Sequence, residues 1–112
     1  IESSLYRDLK IFHSIRLIKD SGLLESLNRF YLQPTIILFG SYSQGTDVET
    51  SDIDLLILSE KINDFPETKE FEKKLKREIQ IMAHKKIKDV KNEYLINNIL
   101  NGIVLQGEIK WI

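Results

Sequence analysis

Phe39-Gly40-Ser41-Tyr42-Ser43-Gln44-Gly45, followed after a short polar stretch by Ser51-Asp52-Ile53-Asp54-Leu55, decides how this chain is read. Ahead of the glycine, Pro34 leads into Thr35-Ile36-Ile37-Leu38-Phe39, a β-branched and aromatic run that predicts a buried strand. The Gly-Ser turn therefore sits at the end of a strand. Gly40 lets the backbone approach a ligand without a Cβ, Ser41 adds a hydroxyl and an N–H, and Gly45 is a second permissive position. Phosphate oxygens are the natural guests of such a loop. The second run, Ile53 to Leu58, is apolar on both faces past Asp54, so it predicts a central strand with two acids at its leading end. Asp52 and Asp54 alternate on that strand and point the same way. Magnesium takes one or two carboxylates and completes its shell with water and substrate phosphate.

Alone, an Asp-x-Asp caps a turn and a Gly-Ser is an ordinary loop. In this order, behind a hydrophobic strand, they resemble the DNA polymerase β-like nucleotidyltransferase superfamily, and more narrowly its minimal nucleotidyltransferases of archaea and bacteria. Leu38-Phe39-Gly40-Ser41, the Ser21-Gly22-Leu23 turn and the closing Ile99-Leu100-Asn101-Gly102-Ile103-Val104-Leu105 are similar to archaeal members, so the resemblance covers most of the chain. It implies an α/β (α+β) nucleotidyltransferase fold, a short mixed sheet flanked by helices. It also implies transfer of a nucleoside monophosphate from a Mg²⁺ (or Mn²⁺) NTP, ATP before the others, to a hydroxyl. Carried over by residue, Gly40, Ser41 and Ser51 belong to the nucleotide and its phosphates, and Asp52 and Asp54 are the catalytic acids that hold metal. The acceptor, protein or nucleic acid, is not written in the motif.

The third acid of the family has no clear counterpart. The later strand is expected at Glu78-Ile79-Gln80-Ile81-Met82, with Gln80 in the third position, where an amide brings no charge and makes a poor base. Glu78 lies two residues earlier on the same face and is the other candidate, against a plain reading as a solvated edge residue. The substitution leaves room for another class of function, a catalytically impaired nucleotide-binding regulatory or antitoxin-like module.

The 112 residues, 42% of them hydrophobic, suit one domain over 1–112 with a real core. The chain has no cysteine, no apolar run near the roughly 20 residues that span a bilayer and no signal-peptide pattern, which makes a cytoplasmic location the expectation. It opens on Ile1 rather than methionine, and the resemblance implies a winged-helix module ahead of it. Residues 4–21 predict an amphipathic helix, with Leu5, Leu9 and Phe12 beside Ile11, Ile15 and Ile18 in one broad stripe, stopped by Ser21-Gly22. A second short helix runs from Leu23 to before Pro34. Asn63-Asp64-Phe65-Pro66 should turn into a helix through about Lys76 with Phe71 and Leu75 inward, and Asp89 should cap a last helix packing Tyr94, Leu95, Ile99 and Leu100.

Net charge is −1, against general affinity for nucleic acid, yet Lys73 to Lys91 holds eight Lys/Arg and only two acids. That stretch reads either as solvated surface or as a patch for an acidic partner, RNA or DNA. His13 and His84 have no motif partner for a ligand role.

Overall fold

The computed structural model describes residues 4–40 and 52–109. Ser41, Tyr42, Gly45, Ser51 and Trp111 lie outside the described residues. Helix α1 spans Ser4–Asp20 and α2 Leu23–Tyr31, then come β1 Thr35–Phe39, β2 Ile53–Leu58, α3 Thr68–Leu75, β3 Ile79–His84, a 3-10 turn Ile87–Asp89, α4 Glu93–Leu100 and β4 Ile103–Gln106. The chain is thus mixed α/β, with four helices and one four-stranded sheet among the described residues.

The strand order is β3-β2-β1-β4, with β2 parallel to β3 and both other pairings antiparallel. The β-branched runs of β1 and β2 take the two central places because both of their faces are apolar. One face of the sheet, with Ile36, Leu38, Ile53, Leu55, Ile57 and Ile79, packs against α1, α2 and α3 through Ile18, Leu23, Leu27 and Phe71. The other face, with Ile37, Phe39 and Leu56, is covered by Ile87, Val90 and Ile99. Each such fully buried side chain is worth about 1.5–3 kcal/mol of transfer free energy. The mixed sheet between helices is therefore a two-sided core, and β2 runs through its middle.

Local chemistry sets the joints. Ser21 donates its hydroxyl to Ile18 O at 2.6 Å and accepts Leu23 N–H at 3.2 Å, and Gly22 turns at φ 88°. The α3–β3 turn is held by Lys76 at φ 57° and by the Glu72 carboxylate, which accepts Ile79 N–H at 2.9 Å.

Four expectations are corrected. The apolar residues of α1 do not form one buried stripe: Ile15 and Ile18 pack, whereas Leu5, Leu9 and Phe12 lie to one side at 67%, 58% and 61% exposure. At 100° per residue the two sets are about a third of a turn apart, which their adjacency in the sequence conceals. The third helix begins at Thr68, later than Pro66. Asp89 caps no α-helix; its carboxylate accepts Lys86 N–H across the 3-10 turn, and Asn92 caps α4 by accepting Leu95 N–H at 3.1 Å. On α4, Leu95 and Ile96 pack with Ile99, while Tyr94 and Leu100 face solvent.

The basic stretch also changes character. Lys73, Lys74, Lys76 and Arg77 precede β3, and Lys85, Lys86, Lys88 and Lys91 follow it. A six-residue strand puts about 20 Å between the two groups. Lys69 stands beside the first group and Lys61 beside the second, so five cations lie at either end and a DNA contact made by one end alone should give a slope of log affinity against log salt no steeper than about −4.5. Filter-binding titrations over a range of salt check this; a slope of about −7 would require all eight on one face.

Candidate active site

Asp54 is the second residue of β2 and is paired on both sides, with Phe39 of β1 and with Gln80 of β3. Paired residues in a sheet share a face, about 4.8 Å apart across the strands. Asp54 and Gln80 therefore stand side by side at the end of the face that α4 covers further along, and Asp52 points the same way from just before the strand. Both acids are half-buried and Gln80 is exposed.

Gly40 completes the corner. Its φ is 77°, and a Cβ there would collide with the Asp54 carboxylate. The glycine is thus favoured by its left-handed backbone, and any side chain there would also have to push the Asp54 carboxylate aside. Gly22 is a natural control, since it has φ 88° but nothing within 4 Å of an added Cβ. Gly40→Ala should therefore destabilise more than Gly22→Ala, for which backbone strain alone costs about 1–2 kcal/mol. Thermal melts of the two variants check this; equal losses would detach Gly40 from Asp54.

The Asp54 carboxyl is pushed up from its ordinary value, first by burial and then by the negative charge of Asp52. Two acids have been brought together where they repel, and that arrangement is suited to a cation.

Glu78 comes just before β3, exposed, with its carbonyl accepting Ile53 N–H at 2.9 Å, and it joins no set of three acids or histidines that could hold a metal among the described residues. His13 and His84 likewise join none. The described corner consists of Gly40, Asp52, Asp54 and Gln80, with two charges rather than three.

The sequence model of the nucleotidyltransferase domain matches residues 21–105, most of the chain. The chain belongs to the nucleotidyltransferase domain family. This nucleotidyltransferase domain is thereby placed among the transferases, and the match leaves out all of α1. Two solved structures share its fold. One, a toxin–antitoxin with AMP-PNP, is 24% identical over 79% of this chain and 73% of that one, with a TM-score of 0.59. The other, a point mutant of the toxin–antitoxin MntA-HpeT, is 23% identical over 80% of this chain and 72% of that one, with a TM-score of 0.60. No curated protein matches the nucleotidyltransferase domain. No described helix is long and apolar enough to cross a membrane.

Proposed function

We propose that this nucleotidyltransferase domain binds a Mg²⁺ or Mn²⁺ nucleoside triphosphate, ATP in the first place, at the corner formed by Gly40, Asp52 and Asp54, and transfers its nucleoside monophosphate slowly to a hydroxyl. The observation that carries this reading is the alignment of Asp54 with Gln80 on one face and its contact with Gly40. Asp52 and Asp54 fit a hard divalent ion, because it would relieve the repulsion that raises the Asp54 carboxyl. A bound ion would neutralise charge on the triphosphate and leaving pyrophosphate. The glycine would let phosphate oxygens approach the turn that leads to Ser41, and Ser41 and Ser51 would serve the same phosphates from the segment between β1 and β2.

In the transfer, the acceptor oxygen bonds to the α-phosphorus, the bond to the bridging oxygen breaks and pyrophosphate leaves with that electron pair. The hydroxyl proton must go to a base or to solvent. Gln80 takes no proton, and Glu78 joins Asp52 and Asp54 in no metal-holding set, so proton removal lacks the family's third acid beside the pair and the step is slow. The solved neighbours support a nucleotide as ligand, one having been determined with AMP-PNP, and a partner protein as acceptor, both being toxin–antitoxin proteins.

A second reading, a nucleotide-binding antitoxin-like or regulatory module without transfer, is favoured by the neutral Gln80 at the position beside Asp54. Incubation with ATP labelled on the α-phosphorus, with Mg²⁺ or Mn²⁺ and cell extract, separates the two. Label on protein or RNA supports transfer and identifies the acceptor class; nucleotide binding without label supports the second reading. Failure to bind ATP, GTP, CTP or UTP would overturn both.

A further inference from the structure

At the end of the sheet away from the acid pair lies an open cleft of about 650 Å³. Leu58, four residues beyond Asp54 on β2 and therefore about 13 Å along the strand, lines it together with Thr35, its partner on β1. Its volume falls within the roughly 300–1,000 Å³ of small-molecule sites. The cleft shares no residue with the Gly40, Asp52, Asp54 and Gln80 corner.

Its walls are fixed by hydrogen bonds from three directions. Tyr31 donates its hydroxyl to Asn63 O at 2.6 Å while Ser59 donates to Tyr31 O at 3.1 Å, which ties the end of α2 to the segment after β2. Thr35 donates its hydroxyl to Glu108 O at 3.1 Å, and Lys86 N–H is held by Asp89 at 3.1 Å. A cleft built this way keeps its shape before a ligand arrives, which lowers the cost of binding.

The lip carries backbone strain. Leu32 and Gln33 are consecutive non-glycine residues with φ of 59°. Leu32 caps α2, its N–H reaching Asn28 O, and Gln33 N–H reaches the same carbonyl at 3.1 Å, so both left-handed residues close the helix at the edge of the cleft. The result is a leucine standing 78% exposed at the opening. Strained backbone of this kind, at about 1–2 kcal/mol per residue, concentrates where ligands bind.

Three lysines, Lys61, Lys85 and Lys86, line the cleft against two acids, Glu60 and Glu108, which leaves a small excess of positive charge. Neither Lys85 nor Lys86 forms an ion pair with any described residue. Lys61 is drawn over the Phe30 ring at 3.7 Å. Behind the two adjacent cations the surface is apolar, with Leu58, Pro34 and the buried Ile87. We propose that this cleft is a second ligand site, for a small organic anion whose apolar body rests on Leu58, Pro34 and Ile87 and whose carboxylate or phosphate faces Lys85 and Lys86.

The test is an amide-resolved NMR titration of the whole chain with benzoate, phenyl phosphate and, as a neutral counterpart, benzyl alcohol. Saturable shifts at Leu32, Gln33, Ile87 and Gly107, with dissociation constants on the order of 1 mM for so small a probe, are expected for at least one anion. The stronger of the two identifies the head group as carboxylate or phosphate. Lys85→Gln with Lys86→Gln should weaken that binding about fivefold or more, whereas Lys85→Arg with Lys86→Arg should retain it. Both pairs of exposed lysine variants should leave the remaining spectrum and Mg-ATP binding unchanged. The proposal is overturned if neither anion saturates, if benzyl alcohol binds as well as the anions, or if the glutamine variant binds as tightly as the parent.

Discussion

Replacing both acids, Asp52→Asn with Asp54→Asn, should weaken Mg-ATP binding by about tenfold or more while making the metal-free protein slightly more stable. The two effects have one cause. With no cation present, ionising the half-buried Asp54 beside Asp52 is unfavourable, which is why its carboxyl is raised. A raised acid favours folding while it is protonated. Its contribution is full below the ordinary carboxylate value of 3.8 and is lost as pH rises through the higher folded value. At neutral pH the ionised pair therefore costs stability, and an asparagine removes that cost. Solvent screening at this partly open corner limits the gain to below about 1 kcal/mol, a few degrees in Tm. The gain should shrink as the pH is lowered toward 3.8, where both proteins carry an uncharged group at position 54. Titration calorimetry with Mg-ATP measures the first effect and metal-free melts between about pH 4 and 7.5 the second. Unchanged nucleotide affinity in the double variant would remove the acid pair from the site.

Gln80→Asp should raise transfer by about 10²–10⁴-fold, the range spanned by a positioned general base. Gln80 is paired with Asp54 across β2 and β3 and is exposed, so the shorter carboxylate fits without repacking. Placed there it would face the acceptor hydroxyl and supply the missing base. The same substitution should lower metal-free stability, because a third negative charge joins two that already repel. Added Mg²⁺ should restore it. Gln80→Glu, with a longer side chain, is the check on placement. Rate measurements with α-labelled ATP, paired with melts with and without Mg²⁺, read both consequences. If neither rate nor metal-free stability moves in Gln80→Asp, then Gln80 has no part in the site.

How much of this was legible in the sequence can be judged residue by residue. The alternation of Asp52 and Asp54 on an apolar strand was readable because a strand has a strict period of two, and the register then fixed Gln80 beside Asp54. The central places of β1 and β2 followed from apolar residues on both faces. β4 was not read as a strand. At four residues, half-exposed and far in sequence from the β1 strand it joins, it carries almost no local signal. The two-sided α1 was misread because Leu5, Leu9 and Phe12 have ordinary helical spacing, and spacing does not tell which face meets the core. The contact between Gly40 and Asp54 could not be seen in advance, since it depends on how β1 and β2 slide past each other. The left-handed Leu32 and Gln33, and with them the far cleft, lack the glycine or asparagine that marks such turns in a sequence.

The position of β4 also bears on how the molecule comes together and comes apart. The stretch from Thr35 to His84 can zip up nearly in chain order, each strand meeting one already close in sequence. β4 must instead return across the whole domain to reach β1, closing the longest loop of the sheet and so docking late. Its far end is clasped by Gln106, whose amide donates to Asn28 at 2.6 Å and to Pro34 O at 2.7 Å, whereas its near end at Ile103 pairs with Leu38, one residue before Phe39 and two before Gly40. Opening of the near end would uncover Leu38, while Phe39 keeps its pairing with Asp54 on β2, so the acid corner can hold its register while the last strand comes and goes.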